Sequence, residues 1–487
     1  MSSFQPFRSK KVLFLFLAGL CIISCKSSNQ YSIAITHVTV IDGTSSPSQP
    51  DSTVLIKDSR ILSIGPSSST EIPRNAKIVD ATGKFLIPGL ADMHVHLLGA
   101  GEPSGSREFI LPLLVANGIT TVRDMGGDAT LLKQLREEIN SGKRPGPQIF
   151  LTGPYLDGNP PYFQPSIVVQ TPAEAANAVQ QLHSLGVDFI KVQSRLQPDP
   201  YFAIAHESQK LGLRFVGHVP DSITAAQASD AGQSSIEHLT GVLLGCSSRE
   251  EQLRNRKMVI PPAGETARQI YAGDQAWTLD LLHSYSQRNA AQLFQKFASN
   301  HTWQVPTLPL LMDLVYLNHP RDPELRARSK YLPGNVAAIW DPVLEKNSKS
   351  DAQDFVIRAE LAERSLAIVK EMSAAGVNIM AGSDSSAPNI FPGFSLHDDL
   401  AYMVQAGLTP LQALQTATTK PAEFLQRSAQ QGSISAGRRA DLVLLNGNPL
   451  DDIHNTKKIE AVILNGKVLD RAALDSLLAG AGRYAAQ

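Results

Sequence analysis

Pro88-Gly89-Leu90-Ala91-Asp92-Met93-His94-Val95-His96 is the stretch on which the reading of this chain turns. A short apolar run ends in two histidines separated by one residue. Side chains alternate faces along a β-strand, so His94 and His96 point the same way. Two imidazoles on one face, at the end of a buried strand, can hold one divalent cation such as zinc. With 12 histidines among 487 residues, chance alone gives ~0.3 such pairs. The frame around the pair therefore has to carry the argument.

Further along, Asp188-Phe189-Ile190-Lys191-Val192-Gln193-Ser194 is a second apolar run with a lysine at its centre. If the strand is buried, an ammonium without a carboxylate partner is costly and its pKa falls. A lysine at a strand end can instead snorkel to solvent. Arg214-Phe215-Val216-Gly217-His218-Val219-Pro220 and Ser234-Ser235-Ile236-Glu237-His238-Leu239-Thr240 each carry a histidine at the end of a short strand. A helix-length segment, Ser222 to Ala231, lies between them. Taken singly, each histidine reads as a hydrogen-bonded core residue or as a ligand. Gly376-Val377-Asn378-Ile379-Met380-Ala381-Gly382-Ser383-Asp384 is a last strand running into an aspartate, which as a residue could equally cap the next helix.

Eight candidate strands alternate with helical segments: Leu90–Val95, Thr120–Arg123, Gln148–Leu151, Phe189–Val192, Phe215–His218, Ser235–His238, Trp303–Thr307 and Val377–Ala381. Such alternation predicts an α/β chain with a parallel sheet, here a (β/α)8 TIM barrel whose chemistry sits at the C-terminal strand ends.

The Pro-Gly lead-in, the apolar strand and Asp92 two residues before His94 resemble the first barrel strand of the amidohydrolase superfamily. The branch is the imidazolonepropionase-like and prolidase-like one, with Xaa-Pro or Xaa-Arg/Lys dipeptidase-like members. Gly437-Arg438-Arg439-Ala440-Asp441-Leu442-Val443-Leu444-Leu445 is similar to that superfamily's C-terminal strand. The resemblance runs from about residue 31 to 470. It implies a ligand set of His94, His96, Lys191, His218, His238 and Asp384 for two divalent metals, expected to be zinc. His94, His96 and Asp384 would hold the more buried metal, and His218 and His238 the more exposed one. Lys191, as a carbamate formed with carbon dioxide, would bridge them. Asp384 would be the catalytic proton carrier, a base that turns acid.

Both flanks read as strand and turn, from residue 31 to 87 and from 432 to 487, and imply one small β-sandwich made by both termini around a barrel at 88–431. Ahead of them, Arg8, Lys10 and Lys11 precede an apolar run from Val12 to Ile23, the layout of a secretory signal peptide over residues 1–24. Ile22-Ile23-Ser24-Cys25 resembles a bacterial lipobox. Cys25 is then lipidated and residues 25–30 form a tether. The expected product is an exported, membrane-anchored lipoprotein on the periplasmic or cell-surface side of a bacterium. Its contact with the membrane is the N-terminal lipid alone. The mature chain keeps Cys246 as its other cysteine, so no intrachain disulfide forms.

A net charge of −1 with 18% charged residues gives no basic run outside the leader, which argues against nucleic acid as a partner. Two long segments, Leu243 to Asn300 and Met312 to Arg358, are candidates for a lid, for substrate selection or for contacts in a homo-oligomer. The expected substrate is a small-molecule amide or dipeptide. Arg123, Tyr155 and Arg195 are the candidates to bind it, though Arg123 could pair with Asp124 instead. Three functions stand apart: a binuclear metallohydrolase acting on dipeptides or acyl-amino acids, a mononuclear cyclic-amide hydrolase (imidazolonepropionase-like) or deaminase, and a non-catalytic surface binding lipoprotein. Lys191 argues against the second, and the complete ligand set against the third.

Overall fold

The structure, a computed structural model, describes residue 1 and residues 32–98, 105–163, 166–257, 275–317 and 323–487. The expected signal peptide, Cys25 and the tether lie outside the described residues. Among the described residues seventeen strands are formed. The first five are β1 (Ser32–Val40), β2 (Gln49–Lys57), β3 (Arg60–Pro66), β4 (Lys77–Asp80) and β5 (Phe85–Pro88). Next come β6 (Leu90–Val95), β7 (Ile119–Asp124), β8 (Gln148–Leu151), β9 (Tyr155–Asp157) and β10 (Ser166–Val168). Then follow β11 (Phe189–Val192), β12 (Arg214–Gly217), β13 (Ser235–Glu237) and β14 (Trp303–Val305). The last are β15 (Leu442–Leu445), β16 (Ile459–Leu464) and β17 (Lys467–Leu469).

Both chain ends enter one sheet of order β17–β16–β15–β5–β1–β2–β3, with β4 beside β1. The join is antiparallel, Val443 of β15 opposite Ile87 of β5. Ile35, Val40, Ile56 and Leu86 from the first segment share a core with Leu442, Leu444 and Ile463 from the last. Burying that apolar surface needs both halves, since each alone would leave its inner face in water.

The middle of the chain is a mixed α/β body of parallel strands. β6–β7–β8 form one set, and β10–β9–β11–β12–β13–β14 the other. The expected eighth strand does not form a continuous ladder. It makes single parallel bridges, Gln304 to Ile379 on the β14 side and Val95 to Ser385 on the β6 side. Across the remaining gap, Asp188 N–H donates to the Leu151 carbonyl at 2.8 Å, linking the end of β8 to the start of β11. This succession is consistent with a (β/α)8 barrel. β9 and β10 are not among the eight strands expected from the sequence.

Alternation decides what faces inward. Phe189, Val216, Trp303 and Val305 meet in a central cluster. Ile190, Val192, Phe215 and Ile236 pack outward against the helices. Lys191 and Glu237 therefore share the inward face by the strand period of two. The helices start where the sequence supplies caps. Thr171 and Glu174 form a reciprocal capping box at the helix Pro172–Leu185, as do Thr224 and Gln227 at Ala225–Asp230. Among the described residues, no helix is long and apolar enough to cross a membrane.

Candidate metal centre

His94, His96 and Asp384 come together although Asp384 lies 288 positions after His96 in the chain. One nitrogen or oxygen from each lies within 4.8 Å of the others. Asp384 Oδ1 sits 3.2 Å from His96 Nε2 and 3.4 Å from His94 Nε2. Two backbone bonds across the broken ladder hold this apposition: Asp384 N–H donates to the His94 carbonyl, and His96 N–H to Ser385. The His238 ring centroid lies 4.5 Å from that of His94 and 5.0 Å from that of His218, so the four imidazoles are contiguous. Lys191 is buried among them, with Glu237 and Asp384 as the carboxylates nearest in effect.

The partners of the imidazoles decide which nitrogen is left over. His94 Nδ1 lies 2.9 Å from Glu237 Oε2, a carboxylate that can only accept. His238 Nδ1 lies 2.7 Å from Thr307 Oγ1, whose own proton goes to the Pro306 carbonyl. His96 Nδ1 faces the Gly126 carbonyl at 3.4 Å and the Tyr155 hydroxyl at 3.3 Å. His218 Nδ1 meets Ser194 Oγ at 2.8 Å. With Nδ1 protonated and engaged, the lone pair of a neutral imidazole sits on Nε2, the arrangement that metal-binding histidines use.

The electrostatics agree with that arrangement. Burial, followed by the Lys191 charge, holds His94 and His218 well below the usual imidazole range. Burial takes His238 down to about 4, against the pull of Asp384. Burial works against ionised Asp384, but His238, His94 and His96 around it keep it well below the usual carboxylate range. Burial brings Lys191 from the usual 10.5 to about 8. His94, His218 and His238 as neutral imidazoles, Asp384 as a carboxylate and Lys191 as a readily deprotonated amine are the protonation states a divalent cation requires of its ligands. His96 departs from them, since against burial the hydrogen bond and charge of Asp384 raise its pKa.

Arg123 is corrected by the structure. It is fully buried, and Nη2 donates to Glu237 Oε1 at 2.9 Å and Oε2 at 3.0 Å. Nε donates to the Met93 carbonyl at 2.7 Å and Nη1 to Ser235 Oγ at 3.0 Å. The guanidinium fixes Glu237, which in turn fixes His94, so it is not presented to a substrate carboxylate. Nor does it pair with Asp124, which accepts from the backbone of Leu97 and Gly126 and shapes the turn after His96. Arg195 donates from Nη1 to the Pro160 carbonyl at 3.0 Å and lies over the Tyr162 ring at 5.9 Å. Tyr155 stands beside His96.

Glu237, Ser194, Thr307 and Asp399 were missed in the sequence. Asp399 accepts from Leu308 N–H through Oδ1 and from Gly382 N–H through Oδ2, each at 3.0 Å. One buried carboxylate thus ties the residue after Thr307 to the backbone two residues before Asp384. Glu237 had one available signal, its place two residues after Ser235 on an inward face. Cys246 is a buried free cysteine.

The model of the amidohydrolase family matches residues 85–469, and the chain belongs to that family. It is 22% identical over 438 residues to adenine deaminase 3 of Rhizobium meliloti, covering 86% of this chain and 54% of that one. The chain thus spans about half the length of this curated relative. Among solved structures, a Xaa-Pro dipeptidase with bound methionine in its active site superimposes with a TM-score of 0.64 at 20% identity, covering 90% of this chain and 100% of that one. The bottromycin amidohydrolase gives a TM-score of 0.74 at 20% identity, covering 93% and 90%. At these identities the structural likeness speaks to fold. The family match supports a hydrolase acting on carbon–nitrogen bonds.

Proposed function

We propose that this protein is a binuclear metal-dependent amidohydrolase that cleaves the amide bond of a dipeptide or an acyl-amino acid, on a (β/α)8 barrel spanning 88–431. The observation that carries this reading is the capture of Nδ1 in all four histidines. The nitrogen-rich, thiolate-free donor set suits zinc. His94, His96 and Asp384 would hold one ion, and His218 and His238 the other. A Lys191 carbamate would lie between them, and burial favours its formation by keeping the amine close to neutral.

Bound divalent metal supplies a water of lowered pKa and polarises the scissile carbonyl. The chain's own residues do the rest. Asp384, held ionised against His94 and His96, takes a proton from the attacking water and returns it to the leaving nitrogen. Amide cleavage needs that return, because an amide anion is a very poor leaving group. Arg123 and Glu237 keep His94 in its tautomer, and Ser194 and Thr307 keep His218 and His238 in theirs.

A mononuclear deaminase or cyclic-amide hydrolase is the second reading. It is favoured by the close apposition of His94, His96 and Asp384, whose donor atoms all lie within 4.8 Å of one another. A panel of dipeptides and acyl-amino acids, run beside adenine and a cyclic amide, separates the two. Hydrolysis confined to the first set supports the binuclear reading, and ammonia release from adenine supports the second. The shared sheet of the two termini fits the β-sandwich domain of residues 31–87 and 432–487. Export and lipidation at Cys25 complete the proposal. Metabolic labelling with palmitate, lost in Cys25→Ala, tests them.

A further inference from the structure

A run of rings borders the centre on one side. Tyr155 lies 6.2 Å from His96, centroid to centroid. Phe163 lies 5.9 Å from Tyr155 and 4.6 Å from Tyr162. Tyr162 lies 6.2 Å from His218, edge to face. The rings therefore form a continuous arc from His96, on one side of the centre, to His218 on the other.

The arc is built in place. Asp157 Oδ2 accepts from the Tyr162 backbone N–H, and its Oδ1 accepts from Gly158 N–H and Arg195 N–H, each at 2.9 Å. Arg195 closes the back of the arc through the Pro160 carbonyl and the Tyr162 face. Tyr155 has its position because Gly126 lacks a side chain. A Cβ there would lie 2.1 Å from Tyr155 Cε1. Yet Phe163, the middle ring, is left 43% exposed. A large apolar ring left in the open beside a polar centre gains its burial when an apolar group lies on it.

We infer that the Tyr155–Phe163–Tyr162 arc selects substrates whose residue next to the scissile amide carries an aromatic or bulky apolar side chain. This deepens the proposed amidohydrolase reading and rests on it for the position of the amide. Arg195 then serves as a prop for Tyr162, which replaces the carboxylate-binding role expected from sequence.

The test uses the full chain and reads binding as well as turnover. In calorimetry, 3-phenylpropionate should bind at least tenfold more tightly than propionate, in line with the roughly 10–200-fold that a hydrophobic pocket discriminates. Phe163→Ala should bring that ratio to within about twofold, while Phe163→Leu keeps most of it. Because Phe163 is half in solvent, neither change is expected to threaten the fold, which thermal melts of both variants check. In turnover, kcat/KM for acetyl-phenylalanine over acetyl-alanine should fall in parallel. A phenyl preference that survives Phe163→Ala and Tyr162→Ala together would overturn the inference, as would equal binding of both acids by the unaltered protein. The two readings fail separately. Hydrolysis without aromatic preference removes the arc and leaves the amidohydrolase. Aromatic preference in binding with no hydrolysis of any amide leaves the arc and removes the amidohydrolase.

Discussion

At the scale of single residues, the protein spends buried charge on orientation. Arg123 and Glu237 are both fully buried and satisfy one another, with Ser235 and the Met93 carbonyl taking the remaining donors. Removing one partner of such a pair leaves an uncompensated buried charge, at roughly 3–5 kcal/mol. Glu237→Ala should lose about that much in urea unfolding, and Arg123→Met combined with Glu237→Leu should recover most of it. If the single variant is as stable as the parent, the pair does not hold the interior. Asp384→Asn keeps the shape and removes the proposed proton carrier. Its kcat should fall by about 10²–10⁴ with circular dichroism unchanged. Wild-type turnover in that variant would remove Asp384 from proton transfer.

The residues legible in the sequence were those that the strand period delivers. His94, His96, His218, His238 and Asp384 each stand at or near the end of an apolar run and Lys191 sits within one, and an inward polar residue there leaves a pattern within a few positions. Their partners leave none. Glu237 meets His94 across 143 positions and Thr307 meets His238 across 69, so no local spacing betrays either pair. Arg123 was misread for the same reason. Asp124 stood next to it in the chain, but side chains of adjacent strand residues point to opposite faces.

At the scale of elements, the seam between β14 and β6 is the part the sequence described least well. Val377–Ala381 has the composition of a strand, but it pairs only at Ile379 and beyond its end at Ser385. The chain must pass very close to β6 there. A Cβ on Gly382 would come within 2.9 Å of His94 Cβ and 2.6 Å of Val305 Cγ1. That crowding interrupts the ladder and sets Asp384 against the histidines. Asp399, on the helix Phe394–Gln405, braces the seam from outside. Asp399→Asn keeps one acceptor and loses the other, so it should weaken metal retention at both ligand groups. Thr307→Val should weaken it at His238. If Asp399 acts in part through Thr307, the double variant will lose less than the sum of the two, as measured by chelator competition.

His397, on the same helix, gives a pH signature. Its Nε2 donates to the Asn117 carbonyl at 3.1 Å, and its Nδ1 lies 3.0 Å from Thr456 Oγ1. Burial lowers its pKa from the usual 6.5 to about 4, despite Asp398 nearby. The folded state therefore binds fewer protons than the unfolded chain between those values. The contribution is fully present above pH 6.5 and is lost as the pH falls towards about 4. The difference in urea midpoint between the parent and His397→Asn should shrink across that window, by up to about 3 kcal/mol in stability. A difference that is constant with pH would contradict the neutral buried state.

At the scale of the whole molecule, the two ends of the chain depend on each other. The sequence showed strand-like segments on both flanks, and their union in one sheet followed from the resemblance. Register and order did not, because the pairing of β5 with β15 spans most of the chain. Truncation before residue 432 removes β15, β16 and β17 and strips the edge of β5 together with six of the fifteen buried residues in the sheet's core. The shortened chain should be insoluble, and co-expression of residues 432–487 should restore part of the soluble fraction. A soluble, cooperatively melting truncation would show that the parallel-stranded body does not need the sheet.

The central claim is that the four histidines, Lys191 and Asp384 form one centre for two ions. Plasma mass spectrometry of the purified protein, loaded with zinc and bicarbonate and then desalted, tests it most directly. The account predicts about two metals per chain, as a bridged pair requires, and about one in Lys191→Ala. About one metal in the parent, unchanged by loss of Lys191, would contradict it.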